Sequence, residues 1–235
     1  MVGKVYIIGA GPGDPELITV KGMKALESSD VVLHDALVSR TLIESLEELG
    51  KEIVNVGKRG KHGARQDEIN ELMLSHARAG KVVARLKGGD PLIFGRCGEE
   101  IEFLREHGIP FEIIPGVSSV NGVPAAISLP LTDKYMSSSL TVISGREDLS
   151  IGTILGGTFV VMMGRDRMGA VAERLVEIGV DPGTPAVAVE NGTAGNQRYV
   201  SGTLSDIGEK IVECGMKGPV LVIVGDVVRK YLREL

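Results

Sequence analysis

The sequence predicts an α/β protein made of two α/β domains, and three of its features say so. Short apolar runs of strand length alternate with amphipathic stretches of helical period along the chain. Polar, glycine-rich loops follow the apolar runs, as connections in strand–helix units do. A Pro115-Gly116 break separates two sets of such elements, which places an N-terminal α/β domain at 1–115 and a C-terminal α/β domain at 116–235. The β-α alternation argues for a mostly parallel sheet covered by helices.

Taken in order, Val5–Ile8 reads as a strand and Glu16–Ser28 as a helix, with Leu17, Val20 and Met23 on one face and Lys21 and Lys24 outside. Val31–Leu33 and Ile53–Val56 are strands with a helix over Thr41–Leu49 between them. A helix over Asp67–Ala79 leads to a strand over Lys81–Leu86. A helix over Glu99–His107 ends at Gly108, and Phe111–Ile114 is the next strand. Beyond the break, Val117–Ile127 reads as a linking helix. The second set is Leu140–Ser144, Thr158–Met163, Met168–Ile178, Ala186–Val189, Arg198–Gly202, Leu204–Val212 and Val220–Val224.

Composition narrows the function. Glycine supplies 32 of 235 residues, so glycines punctuate this fold and each cluster needs a local reason. Aromatics are 3% with no tryptophan, which argues against a base-stacking platform. A net charge of −5 is the wrong sign for a protein that lives on phosphate backbones, so no nucleic-acid partner is expected. Cys97 and Cys214 have no metal-pair spacing and imply no disulfide framework, and no metal is expected. The start MVGKVYIIGAGPG meets glycine and proline too soon for a signal peptide. No apolar run approaches the ~20 residues of a membrane span, so the expectation is a cytoplasmic protein without a membrane partner.

In open parallel sheets ligands sit beyond the carboxyl ends of the strands. Here those ends carry Gly9-Ala10-Gly11-Pro12-Gly13-Asp14, His34-Asp35, Gly57-Lys58-Arg59-Gly60-Lys61, Lys87-Gly88-Gly89-Asp90-Pro91 running to Gly95-Arg96, and Pro115-Gly116-Val117-Ser118-Ser119. The first loop falls short of a dinucleotide fingerprint, because Asp14 stands where a glycine is needed and would repel a pyrophosphate. A tight turn is its plainer reading. Asp35 is either a helix cap or, beside Lys58 and Arg59, a proton acceptor kept ionised by the neighbouring cations. Lys58, Arg59, Lys61, His62 and Arg65 form a solvated face or, with Arg85, Lys87 and Arg96, a site for a ligand with several carboxylates. Gly88 and Gly89 would let a ligand approach the backbone, with Asp90 accepting from a ribose or amino group; a turn before Pro91 is the alternative. Met162 and Met163 read as core, His76 and His107 have no metal partners, and Cys97 has no neighbour that would activate a thiol.

The segments VYIIGAGPGDPELITVKG, VVLHDALVS, VGKRG, RLKGGDPLIFGRCGEE, PGVSSVNGVPA, ISLPLT and VENGT, in this order, resemble the tetrapyrrole methylase family, the class III S-adenosylmethionine-dependent methyltransferases. GPVLVIVG near the end fits as well. The resemblance implies two α/β domains with the cofactor in the cleft between them, and a homodimer. It implies S-adenosylmethionine held by Pro12, Gly88, Gly89, Asp90, Ile93, Ser118, Ser119, Met163 and Gly192, which gives Met163 a role beyond the core. It makes Asp35 the proton acceptor and Lys58 the proton donor, with Arg59 and Arg96 assigned to the acidic arms of the substrate. The implied reaction is methyl transfer to ring carbons of uroporphyrinogen III in two rounds, giving precorrin-2 and S-adenosylhomocysteine, on the way to cobalamin or sirohaem. Four positions depart from the family pattern. Cys97 replaces a usual glycine, Asp133-Lys134 a usual His-Arg, His34 a common tyrosine and Ala36 a common arginine.

Overall fold

The first half of the chain folds as the alternation requires. In the computed structural model, which describes residues 2–57, 66–146 and 157–232, five strands form one sheet: β1 (Val5–Gly9), β2 (Val31–His34), β3 (Glu52–Asn55), β4 (Val83–Lys87) and β5 (Phe111–Ile114). Their order is β3-β2-β4-β1-β5, and every pairing is parallel. Four helices return the chain between them: α1 (Val20–Ser28), α2 (Arg40–Glu48), α3 (Gln66–Arg78) and α4 (Cys97–Glu106). Right-handed crossovers place connections running toward β3 on one face and those running toward β5 on the other. The two cores show this directly. Ala25, Leu26, Leu42 and Leu46 of α1 and α2 pack on Ile8, Val32, Ala84 and Leu86. Ile69, Met73, Leu74 and Leu104 of α3 and α4 pack on Val5, Ile7, Leu33 and Val83.

Two boundaries differ from expectation in ways that matter. The Glu16–Ser28 helix divides: Asp14 accepts a hydrogen bond from Glu16 N at 2.9 Å and opens a 3-10 turn, Pro15–Leu17. The Thr19 hydroxyl then accepts from Gly22 N at 3.0 Å and starts α1 at Val20. The buried face of α1 is therefore Gly22, Ala25 and Leu26, and Val20 is exposed. Strand β4 also runs one residue further than expected, to Lys87, which commits the Lys87 side chain to the face covered by α3 and α4.

The chain divides into two compact units, Met1–Ser118 and Ser119–Leu235, where the sequence reading put the boundary between 115 and 116. The second unit has its own sheet of β6 (Leu140–Ser144), β7 (Thr158–Met162), β8 (Pro185–Glu190), β9 (Arg198–Thr203) and β10 (Val220–Val224), ordered β6-β7-β10-β8-β9. Here the sheet is mixed. Only β6–β7 is parallel; β7–β10, β10–β8 and β8–β9 are antiparallel. The link from β8 to β9 is too short to hold a crossover helix, so it returns the chain antiparallel. Helices α6 (Met168–Glu177) and α7 (Ile207–Glu213) cover one face of this sheet. Helices α5 (Ser119–Ala126) and α8 (Asp226–Tyr231) cover the other through Val123, Val227 and Val228. Among the described residues, no helix is long and apolar enough to cross a membrane.

Candidate active site

In the first unit, β1 and β4 lie side by side while their onward helices leave on opposite faces. A crevice opens between such strands at their carboxyl ends. The backbone closes its floor. Ala10 N donates to Lys87 O at 2.7 Å, Gly89 N to Gly11 O at 2.7 Å and Gly11 N to Gly89 O at 3.3 Å. The loop after β5 joins them. A Cβ on Gly116 would lie 2.4 Å from Gly89 O, and one on Gly9 would lie 2.5 Å from Gly116 N. Three main chains thus meet where no side chain fits, and glycine is required there for close approach. Asp90 fastens two of the loops: Oδ1 accepts from Leu92 N at 2.8 Å and Oδ2 from Gly116 N at 3.1 Å.

Of the expected site residues, Gly88, Gly89 and Asp90 sit in this meeting of loops. Pro12 is partly buried in the adjoining first loop. With Asp14 spent as a cap, that loop takes the tight-turn reading. Ile93 is exposed two residues after Pro91 and is followed by Phe94 and Arg96 in left-handed backbone, at φ 53° and 55°. Such conformations in residues other than glycine concentrate at functional loops. Arg96 is not idle: its Nε and Nη2 donate to the Glu99 carboxylate at 2.7 and 2.6 Å. Ser118 closes the first unit and Ser119 opens α5 of the second; both are partly buried. Lys58 and Arg59, with Lys61, His62 and Arg65, lie outside the described residues.

Asp35 follows β2 at the same end of the sheet. It does not cap α2, whose cap position is Ser39. Its carboxylate accepts from Arg85 Nη2 at 2.5 Å, and its side chain keeps 31% of its surface exposed. Arg85 is 2% exposed and Lys87 3%, so the expectation that they serve as free cations for a substrate is wrong. They are paired with Glu100 of α4, which is fully buried. Its Oε1 accepts from Arg85 Nε and Lys87 Nζ, both at 2.9 Å, and from Gln66 Nε2 at 3.3 Å. Two buried cations facing two carboxylates balance, as burial demands. Burial pulls the Arg85 pKa down, but Asp35 and Glu100 outweigh it and the guanidinium ends above its ordinary value. Burial likewise pushes the Cys97 thiol up to about 11, against a nucleophilic role. Sequence reading missed Glu100. The signal was there, since Arg85 and Lys87 alternate along one face of an otherwise apolar strand and need a buried anion.

In the second unit, the pairings make β6, β7 and β8 run one way and β9 and β10 the other. The loops after β7 and β8 therefore share an edge, with the start of β10 between them. Met163 lies after β7 at φ 56° and is exposed. Gly192 lies after β8, between Asn191 at φ 51° and Thr193 at φ 69°. A Cβ on Gly192 would lie 2.5 Å from Val123 Cγ2 of α5. Glu190 pins this edge by accepting from Lys217 N and Gly218 N at 2.5 Å each and from Arg198 Nε at 2.5 Å. Those bonds, from Gly218 N above all, hold its carboxyl below the usual range.

Comparisons with known proteins point one way. A family model described as Tetrapyrrole (Corrin/Porphyrin) Methylases matches residues 4–208. A uroporphyrinogen-III C-methyltransferase of Methanocaldococcus jannaschii is 42% identical over 97% of this chain and 98% of its own. A siroheme synthase of Pseudomonas fluorescens is 41% identical over 99% of this chain, which spans 51% of that longer protein. The crystal structure of a uroporphyrin-III C-methyl transferase from Thermus thermophilus, complexed with S-adenyl homocysteine, is 40% identical. It superposes with a TM-score of 0.84 over 97% of this chain and all of that one.

Proposed function

The chain belongs to the tetrapyrrole methylase family, and we propose on that premise that it is the S-adenosylmethionine-dependent C-methyltransferase that converts uroporphyrinogen III to precorrin-2 in two successive transfers. The observation that carries this reading is the Asp35 carboxylate, held by buried Arg85 and still partly open, beside the glycine loops that close the crevice.

The fold suits the cofactor. Gly88 and Gly89 present backbone without side chains, and Asp90 keeps lone pairs beyond its two backbone bonds for a ribose or amino group. Exposed Ile93 and Met163 offer apolar surface, and Pro12, Ser118, Ser119 and Gly192 complete the assigned set. S-adenosylmethionine, when bound, would supply an electrophilic methyl on its sulfonium, whose neutral thioether needs no acid to leave. The protein's tasks are then alignment and proton handling. Asp35 takes the proton that the methylated macrocycle must lose, and Lys58 returns one where the ring requires it. Arg59 and Arg96 meet the acetate and propionate arms, which suit a forked cation; Arg96 does so by exchanging its exposed bond to Glu99. The same reading includes a homodimer, a cytoplasmic setting, and a product that serves cobalamin or sirohaem synthesis.

An anaerobic assay with S-adenosylmethionine and uroporphyrinogen III, followed by mass spectrometry, tests the proposal. A product carrying two added methyls is expected. No methylated product, with calorimetric binding of S-adenosylhomocysteine intact, would leave the cofactor site standing and move the substrate to a later tetrapyrrole.

A further inference from the structure

The Glu100 carboxylate is buried too deeply to meet any ligand, yet it is one residue removed from the reacting rim. Arg85 is the link. Its Nε is held by Glu100 Oε1 at 2.9 Å, its Nη1 donates to Leu33 O at 3.4 Å and to Leu86 O at 3.3 Å, and its Nη2 reaches Asp35 at 2.5 Å. The guanidinium is planar, so fixing Nε and Nη1 fixes the direction of Nη2. Lys87 Nζ meanwhile sits 2.9 Å from both oxygens of Glu100. Glu100 is the single carboxylate that both neutralises Lys87 and sets the angle of Arg85 among the described residues. Without its charge, Lys87 and Arg85 would stand as two buried cations with Asp35 as their remaining anion, and like charges in a low dielectric repel strongly. Arg85 would be pushed toward the rim and Asp35 drawn onto it.

We propose that Glu100 is a positioning residue for methyl transfer, which acts through Arg85 to hold the Asp35 carboxylate at the angle its proton transfer needs. This rests on the reading of Asp35 as the proton acceptor. Lys87 is the counter-charge that keeps the Glu100–Arg85 pair neutral, so the three residues work as one unit beneath the rim.

The test is a set of variants assayed for methyl transfer to uroporphyrinogen III, with S-adenosylhomocysteine affinity measured by calorimetry. Glu100→Gln keeps the shape and removes the charge. Its kcat should fall by up to ~100-fold, the cost of a small misplacement at a reacting centre. Its affinity for S-adenosylhomocysteine should stay within about twofold, since the Asp90 carboxylate is held by Leu92 N and Gly116 N and not by Glu100. The charge-balanced pair Lys87→Met with Glu100→Gln should recover most of the lost kcat. In an Asp35→Asn background, Glu100→Gln should cost nothing further.

Equal losses of kcat with and without the Asp35 carboxylate would overturn the proposal, because Glu100 would then act on the fold alone. Full activity of Asp35→Asn by itself would instead overturn the reading of Asp35 on which the proposal rests. Should Glu100→Gln fail to fold, Glu100→Asp decides the matter. It keeps the charge but shortens the reach by one methylene, and a wild-type kcat in that variant would sink the proposal.

Discussion

The two sheets of this protein solve the same problem differently. In the first unit every strand runs the same way, so all five carboxyl ends, and the loops after β1, β2, β4 and β5, gather on one edge. In the second unit antiparallel pairing sends loops to both edges, and only those after β7 and β8 carry assigned residues. Charge is handled differently too. The first unit buries Arg85 and Lys87 with Glu100, whereas the second buries Glu190 at the end of β8 and satisfies it with two backbone N–H groups and a half-exposed Arg198. A parallel sheet with long crossovers can afford a polar core at its switch point, because the helix that follows the strand brings the counter-charge with it: α4 begins ten residues after β4 ends and delivers Glu100.

That contrast predicts the largest difference between single substitutions. Glu100→Ala strands two buried cations and should cost ~3–5 kcal/mol. Glu190→Ala releases two backbone N–H groups near solvent and a surface arginine, and should cost ~1–3 kcal/mol. Urea unfolding of both variants measures this; comparable losses would erase the distinction between the two cores.

Glycine gives the next comparison. Gly116→Ala forces a Cβ within 2.4 Å of Gly89 O, which is backbone and cannot turn aside. Gly192→Ala meets the side chain of Val123, which can. Both overpack, at ~1–3 kcal/mol each, with Gly116→Ala at the upper end. Because Gly116→Ala also parts the loops that Asp90 ties, it should weaken S-adenosylhomocysteine binding in calorimetry more than Gly192→Ala does. The reverse order would shift the weight of the cofactor site onto the second unit. Asp90→Ala, which removes the tie but leaves the glycines, should weaken the same binding by ~1–3 kcal/mol. Unchanged affinity would remove Asp90 from the site.

These differences also explain what the sequence disclosed. Strand–helix alternation is a local signal, so the first sheet was legible, and Phe111–Ile114, Leu140–Ser144 and Val220–Val224 are strands over the residues expected. Strand direction in the second unit was not, because insertion of β10 between β7 and β8 depends on pairing between residues far apart in sequence. The split before α1 was missed because two caps, Asp14 and Thr19, compete within one apolar period. At the site, motif resemblance singled out Asp35 and the Gly88–Asp90 loop, which lie at the carboxyl ends of neighbouring strands of one parallel sheet. It could not show that Arg85 and Lys87 are spent on Glu100, since burial of a charge is a property of the packed core.

The smallest effect tests whether the outer edge of the parallel sheet is also tied by charge. Glu112 on β5 accepts from Lys4 Nζ at 2.7 Å and pairs with Lys21 Nζ at 2.5 Å, joining the edge strand to the start of β1 and to α1. Lys21 first, then Lys4, holds the Glu112 carboxyl down from the usual 4.5 to about 2. A carboxyl with a lowered folded-state pKa adds stability that is fully present above its unfolded value and is lost as pH falls through the folded one. The contribution should therefore persist above pH 4.5 and vanish by about pH 2. Both lysines and the glutamate are solvent-accessible, so salt should screen it. Glu112→Gln should lower the Tm slightly at pH 7 and low salt, and the gap to the unaltered protein should close at pH 2 and in high salt. A gap that persists in acid would mean that Glu112 supports β5 by its shape and not by its charge.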